Sequence, residues 1–205
     1  EHYAFFTRAV LEAVPWIDFI PDVIHVNDWH TSMIPMLLKT QYYSSYSDIK
    51  TLLTIHNIAY QGKFDPMFVK DLLGVPDYYY TPEYMEAFGC ANFLKAGIVF
   101  SDKVNTVSPT YAKELMYPYY SEGMDGVLAS RGSDFSGILN GIDIEVFNPH
   151  TDPKIEKRYM SGSIYNKKNN KLALIQELNL DANIDTPIIS VISRLTEQKG
   201  LDLIM

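Results

Sequence analysis

Residues 187–203 read P-I-I-S-V-I-S-R-L-T-E-Q-K-G-L-D-L. The β-branched apolar run at 188–192 predicts a strand that is buried on both faces of a parallel sheet. Arg194 and Lys199 follow in the next loop, and open α/β sheets bind ligands beyond the carboxyl ends of their strands. A guanidinium and an ammonium suit a diphosphate. The alternative is a solvated surface turn that carries two ordinary cations.

The rest of the chain alternates strands with helices, which predicts an α/β fold built on a parallel sheet. Apolar runs predict strands, whereas apolar residues at helical spacing, with Pro and Gly at suitable ends, predict helices. The predicted strands are 23–26, 51–55, 103–107, 136–139 and 187–192, and the predicted helices are 3–14, 33–41, 65–73, 85–100, 108–116 and 171–180. Residues 117–134 are predicted to be largely irregular, and a second parallel sheet is predicted to begin after the turn-rich segment 148–153.

Composition limits the function classes. The 205 residues are 47% apolar and carry a net charge of -8, which argues against a nucleic-acid partner. No apolar run approaches the roughly 20 residues that span a bilayer. The single Cys90 excludes an internal disulfide and fits a reducing compartment.

The loop after the first strand reads N-D-W-H at residues 27–30. A carboxylate, an indole and an imidazole at a strand end can hold a sugar by hydrogen bonds and stacking. A metal site at His25, Asp28 and His30 is a weaker alternative, because no matching ligand set occurs elsewhere. A third interpretation is that Asp28 caps a helix that begins near Thr31.

Two other loops have a functional and a structural interpretation. His56 follows the strand 51–55, where a lone histidine is more often a structural imidazole than a catalyst. Asn140 and Gly141 follow the strand 136–139 and would also suit a type I′ hairpin turn.

Five stretches, in this order, resemble the bacterial glycogen synthases and plant starch synthases. The resemblance is carried by N-D-W-H (27–30), T-I-H-N-I-A-Y-Q-G (54–62), N-T-V-S-P-T-Y-A (105–112), S-G-I-L-N-G-I-D (136–143) with F-N-P-H-T-D (147–152), and S-R-L-T-E-Q-K-G (193–200). It implies a retaining glycosyltransferase of the GT-B fold, with two Rossmann-like domains, that moves glucose from ADP-glucose to the non-reducing end of an α-1,4-glucan. It implies no metal and no other cofactor.

The resemblance also implies roles for individual residues. The proposed catalytic residues are His56, Arg194 and Lys199. The donor-binding residues are these three together with Asn140 and Gly141. The acceptor-binding residues are Asp28, Trp29, His30, Tyr60 and Gln61. Because the sequence offers no well-placed nucleophile, a front-face route to retention is favoured over a double displacement.

Residues 1–145 are expected to form most of an N-terminal domain, and residues 146–205 the linker and the start of a C-terminal nucleotide-sugar domain. We therefore expect this chain alone to be inactive and to self-associate through the exposed 187–192 run. The expected location is the bacterial cytoplasm, or a plastid for a plant protein. The rival functions are a GT-B glycosyltransferase that uses UDP-glucose and a non-enzymatic glucan-binding module, which would not need Arg194 and Lys199.

Overall fold

A computed structural model describes residues 1–204, and the chain divides into two compact units. Unit 1 is Glu1–Asn140, and unit 2 begins at Gly141. The boundary predicted at residues 145/146 lies shortly after this division.

Unit 1 is built on strands that form two sheets. The strands are β1 (Val23–Asn27), β2 (Lys50–Ile55), β3 (Lys63–Phe64), β4 (Glu86–Ala87), β5 (Cys90–Asn92), β6 (Lys103–Thr106) and β7 (Phe135–Gly137). The main sheet has the order β1-β2-β6-β7, and each neighbouring pair is parallel. The small sheet β3-β5-β4 is antiparallel. The parallel main sheet confirms the predicted α/β class.

Helices pack on the main sheet and connect its strands. In unit 1 they are α1 (His2–Ala13), α2 (Asp28–Thr31), α3 (Met33–Lys39), α4 (Tyr43–Tyr46), α5 (Pro66–Leu73), α6 (Phe93–Phe100), α7 (Pro109–Glu114), α8 (Pro118–Ser121) and α9 (Asp125–Ala129). Short 3₁₀ turns lie at Val14–Trp16, Asp77–Tyr79 and Gly132–Asp134. Unit 2 contains α10 (Lys167–Glu177) and 3₁₀ segments at Ser161–Asn166, Glu197–Lys199 and Leu201–Leu203. No helix within residues 1–204 is long and apolar enough to cross a bilayer.

A close helix contact fixes the core beneath the carboxyl edge of the main sheet. A Cβ atom added to Gly97 on α6 would lie 2.5 Å from Ser32 Cβ. The Ser32 hydroxyl donates to the Phe93 carbonyl at 2.6 Å. Leu53 and Ile55 of β2 are fully buried in the same core. This packing holds the beginning of α3 close to the beginning of α6.

Local sequence rules predict several helix ends correctly. The Asp65 carboxylate accepts hydrogen bonds from the Met67 and Phe68 amides at the start of α5. Gly74 ends that helix in the left-handed region, at φ 60°. Ser108 caps α7 in the same way as Asp65 caps α5, with Pro109 in the first helical position.

The helix predicted over 85–100 is wrong in its first half. Phe88 and Gly89 both have positive φ, 56° and 75°, and they form the turn between β4 and β5. The helix begins only at Phe93, where the Asn92 side chain accepts the Lys95 amide. Pairing of β5 with β3 on its other side favours strand over helix here. The segment 117–134, which the sequence predicts to be largely irregular, also contains two short helices, α8 and α9.

The strand predicted over 187–192 is not formed. Ile189 is 92% exposed and Ile192 is 96% exposed. No strand occurs anywhere in the described part of unit 2, residues 141–204. Without a neighbouring strand, an apolar β-prone run has no backbone partners and no sheet to pack against. The predicted second parallel sheet is therefore absent from these residues.

Asp102 fastens the start of β6 to β2. Its carboxylate accepts hydrogen bonds from Lys39 Nζ at 2.8 Å, from the Thr51 amide at 2.7 Å and from the Thr51 hydroxyl at 2.8 Å. Burial alone would raise the pKa of Asp102, but these hydrogen bonds outweigh it and hold the pKa below its usual value. The folded protein therefore stabilises the ionised form of Asp102 more than the unfolded chain does.

We expect Asp102→Asn to lower the free energy of unfolding of the intact protein by about 1–3 kcal/mol at neutral pH, because charge-assisted hydrogen bonds are lost. Because the pKa of Asp102 is lower in the folded protein than in the unfolded chain, its ionised carboxylate stabilises the fold fully above the unfolded-state pKa of about 3.9. This contribution is lost as the pH falls through the folded-state pKa. The wild type and the variant should thus converge in acid. Urea unfolding at several pH values measures this.

The matched control is Asp134→Asn, which removes an exposed ion pair with Lys103 and should change stability little. An Asp102→Asn deficit that does not shrink in acid would contradict the assignment.

Candidate active site

Polar residues follow the parallel strands at one edge of the main sheet. Asp28 follows β1, His56 follows β2, Ser108 comes shortly after β6 and Asn140 shortly after β7. Because the strands are parallel, these residues leave the sheet at its carboxyl edge. This is the edge at which the sequence predicts a ligand site.

Asp28, the first residue of α2, connects the end of β1 to the loop after β2. Its Oδ1 atom accepts hydrogen bonds from the His56 amide at 2.8 Å and from the Asn57 amide at 3.4 Å. Asp28 has a φ of 51°, which is uncommon for a non-glycine residue. The alternative that Asp28 caps a helix near Thr31 is wrong, because Asp28 is itself the first residue of α2 and its carboxylate binds amides of the loop after β2.

The His56 side chain is exposed, and its ring is held on one side. Its Nε2 atom lies 2.9 Å from Asn27 Oδ1. Asp28 holds the main chain of His56, and Asn27, the residue before Asp28, holds its ring. The sequence interpretation selected Asp28 and His56 but not Asn27. The signal for Asn27 is its position as the last residue of β1, in register with Thr54.

Trp29 lies in an aromatic cluster. It stacks on His30, with ring centroids 4.2 Å apart and an interplanar angle of 29°. Tyr3 meets the indole edge-on at 5.0 Å, and Phe64 approaches at 5.7 Å. A Cβ atom at Gly62 would lie only 2.5 Å from Trp29 Cε3. The indole therefore supports the loop of residues 56–62, and stacking of Trp29 or His30 on an acceptor sugar stays a prediction.

Tyr60 and Gln61 are neighbours with different environments. Tyr60 is 55% exposed, whereas Gln61 is only 3% exposed. Gln61 accepts a hydrogen bond from Asn92 Nδ2 at 2.7 Å and donates one to the Glu122 carbonyl at 3.1 Å. Both ends of the Gln61 amide thus form hydrogen bonds inside the protein that hold its loop in place, and contact of Gln61 with an acceptor stays a prediction.

A tyrosine of α7 supports the same loop. The Tyr111 hydroxyl accepts a hydrogen bond from the Ile58 amide at 3.3 Å. Burial raises the pKa of this hydroxyl. The neutral phenol is therefore the form that holds the loop.

The residues considered for a metal have other partners. His25 Nε2 lies 2.7 Å from the Thr54 hydroxyl, which in turn donates to Asn105 Oδ1 at 2.5 Å. Asp28 binds backbone amides and His30 stacks on Trp29. Within residues 1–204, no group of three or more His, Cys, Asp or Glu side chains is arranged to hold a metal ion.

The hairpin interpretation of Asn140 and Gly141 is wrong. A type I′ turn needs positive φ at both central residues, and neither residue has it. No strand follows them among residues 141–204. Their predicted contact with the donor stays a prediction.

Arg194 and Lys199 belong to unit 2. The Arg194 carbonyl accepts the Thr196 amide at 2.9 Å, and the Thr196 carbonyl accepts the Lys199 amide at 3.0 Å. Gly200 ends this turn at φ 65°. Neither cationic side chain forms an ion pair within the described residues. Both charges are therefore available to an anion.

Comparison with known proteins identifies the family. The sequence profile of the family described as the starch synthase catalytic domain matches residues 1–130. The chain belongs to this family. The predicted family resemblance is thereby confirmed.

Curated relatives match the whole chain. A glycogen synthase of Bacillus cereus is 47% identical over 206 aligned residues, covering 100% of this chain and 43% of that protein. The glycogen synthase of Clostridioides difficile (strain 630) is 48% identical with the same coverage. The chain thus spans 43% of the length of these relatives.

A solved structure matches the fold. The catalytic domain of starch synthase IV from Arabidopsis thaliana, bound to ADP and acarbose, superposes with a TM-score of 0.85 and 33% sequence identity. The match covers 98% of this chain and 42% of that chain. The expected GT-B class agrees with this match.

We expect Gly62→Ala to destabilise the intact protein, because the new methyl group would meet the Trp29 indole and the φ of 65° disfavours alanine. Overpacking of this kind costs about 1–3 kcal/mol. Chemical denaturation, with near-ultraviolet circular dichroism to follow the aromatic cluster, measures the effect.

Gly132→Ala is the matched control, since Gly132 also has positive φ, 51°, but has nothing within 4 Å of an added Cβ. Equal losses in the two variants would show that backbone strain alone, and not the contact with Trp29, constrains Gly62.

Proposed function

We propose that the intact protein containing this chain transfers glucose from ADP-glucose to the non-reducing end of an α-1,4-glucan, with retention of configuration. The observation that carries the proposal is that Asp28 and Asn27 hold His56 by hydrogen bonds at the carboxyl edge of the sheet. Membership of the starch synthase catalytic domain family supports it. So does the likeness to a starch synthase bound to ADP and acarbose.

Arg194 and Lys199 are assigned to the diphosphate of the donor. Negative charge builds on this leaving group as the glycosidic bond breaks, and fixed cations stabilise it. Both side chains extend from one short turn and neither is neutralised by an acidic partner within residues 1–204. Two cations supply the charge, so the proposed reaction needs no metal and no other cofactor.

His56 is assigned to the glucose of the donor. The Asp28 and Asn27 contacts fix its main chain and its ring, which allows the imidazole to orient the sugar without reorganisation. Asn140 and Gly141, which follow β7, are assigned to the donor as well.

Asp28, Trp29, His30 and Tyr60 are assigned to the acceptor side. Asp28 uses Oδ1 for the two backbone amides, which leaves Oδ2 for a hydroxyl group of the glucan. Gln61, which is buried and forms hydrogen bonds to Asn92 and Glu122, is assigned to the acceptor side through the loop that it holds in place. Because the matched glycogen synthases are bacterial proteins, we propose the bacterial cytoplasm as the site of action.

We expect Arg194→Ala and Lys199→Ala each to lower kcat of the intact protein by ~10²–10³, because one charge-stabilising donor is lost, with little change in thermal stability. Transfer of labelled glucose from ADP-glucose to glycogen is the assay, and UDP-glucose serves as the competing donor. Lys154→Ala, which removes another exposed cation of unit 2, is the control.

Near-normal turnover in both variants would refute the diphosphate assignment. Transfer that runs faster from UDP-glucose than from ADP-glucose would instead refute the assignment of adenine as the nucleotide base of the donor. Glycogen binding without any transfer would favour the glucan-binding module.

We expect His56→Ala to abolish most transfer while glucan affinity is retained, because His56 is assigned to the donor sugar and not to the acceptor. Glycogen affinity is measured by co-sedimentation, separately from turnover. A variant that binds glycogen poorly but turns over bound substrate normally would reverse the two roles.

A further inference from the structure

We propose that Asn27 is a positioning residue that holds the neutral His56 imidazole in its Nε2–H tautomer, so that Nδ1 accepts a hydrogen bond from a hydroxyl of the donor sugar. The assignment of the sugar rests on the proposed function. The assignment of the tautomer rests on the geometry of the protein alone.

Asn27 is itself firmly placed. It is the last residue of β1 and is in register with Thr54 of β2. The Thr31 hydroxyl lies within hydrogen-bond distance of both its backbone groups, 2.8 Å from the amide and 3.0 Å from the carbonyl. The Asn27 side chain therefore starts from a backbone that is fixed by β2 and by α2.

Two consecutive residues hold His56 at two points. Asp28 Oδ1 binds the His56 amide at 2.8 Å, and Asn27 Oδ1 lies 2.9 Å from His56 Nε2. One contact fixes the main chain and the other limits rotation of the ring. An exposed histidine would otherwise exchange between rotamers.

The Asn27 contact determines which ring nitrogen carries the proton. An amide oxygen only accepts hydrogen bonds, so Nε2 must donate to it. In a neutral imidazole, Nδ1 is then an acceptor with a free lone pair. Nδ1 forms no hydrogen bond within residues 1–204, and the His56 side chain is exposed. Nδ1 is therefore available to a sugar hydroxyl, which can donate to it.

The first test measures the tautomer directly. The intact protein, labelled with ¹⁵N-histidine and free of ligand, is studied by two-bond ¹⁵N–¹H NMR at about pH 8, well above the pKa of histidine in model peptides. The His56 signals are assigned as those that disappear in His56→Gln. We expect Nε2–H in the wild type and a mixture of tautomers in Asn27→Ala. Nδ1–H in the wild type, or an unchanged tautomer in Asn27→Ala, would overturn the proposal.

Two further variants separate this role from a general effect on the strand. Asn27→Asp keeps an acceptor oxygen and should keep the Nε2–H tautomer, which also provides a test if Asn27→Ala does not fold. His25→Gln changes the residue two positions earlier, on the same face of β1, whose partner is Thr54. It should leave the His56 tautomer unchanged, and an equal shift in this control would overturn the proposal.

The second test uses the transfer reaction. We expect Asn27→Ala to lower kcat/KM for ADP-glucose by roughly tenfold, the effect of one lost hydrogen bond, with the KM for glycogen unchanged. Asn27→Asp should recover most of the loss. Wild-type kinetics in Asn27→Ala would overturn the role in catalysis. A protein that shows the expected tautomer but transfers no glucose would refute the proposed function and leave the tautomer assignment in place.

Discussion

The hydrogen bonds from the His56 and Asn57 amides to the Asp28 carboxylate are the contacts on which the site depends. Parallel strands bring their carboxyl ends to one edge, but the loops that follow would be free to diverge. Asp28, directly after β1, holds the loop after β2 by these hydrogen bonds. Its own backbone is in the left-handed region, at φ 51°. Such a conformation costs of order 1–3 kcal/mol and persists only where surrounding contacts determine it. Here those contacts are the two amides.

Further layers stabilise the same edge from behind. Gly62 lies against Trp29, Gln61 connects Asn92 to Glu122, and Tyr111 holds Ile58. These contacts join the loop of residues 56–62 to several other parts of unit 1. The loop, in which Ile58 and Gln61 are buried, therefore has the rigidity that an orienting histidine requires.

Local chemistry made much of unit 1 predictable. Asp65 and Ser108 cap helices by bonds to amides two and three residues ahead, and such short-range contacts can be recognised in a sequence. The Phe88–Gly89 turn was missed because an aromatic residue with positive φ is rare and because β5 needs β3, a strand from another part of the chain. The 188–192 run has strand propensity, but propensity does not supply a neighbouring strand. Both predictions, the helix through residues 88–89 and the strand at 188–192, failed because the outcome depended on whether another strand was available for pairing.

The candidate site shows the same limit at the level of atoms. Motifs selected Asp28, His56 and Gln61 together, yet they could not show which polar atoms the fold itself would occupy. Gln61 has both amide ends engaged, whereas Asp28 keeps Oδ2 and His56 keeps Nδ1 without a hydrogen bond within residues 1–204. A substrate hydroxyl gains most from exposed polar atoms that folding leaves without a hydrogen bond, since no internal hydrogen bond must then be broken. Asn27 matters for the same reason: because its side-chain oxygen accepts the hydrogen bond from Nε2–H of His56, Nδ1 is the ring atom that remains for the sugar.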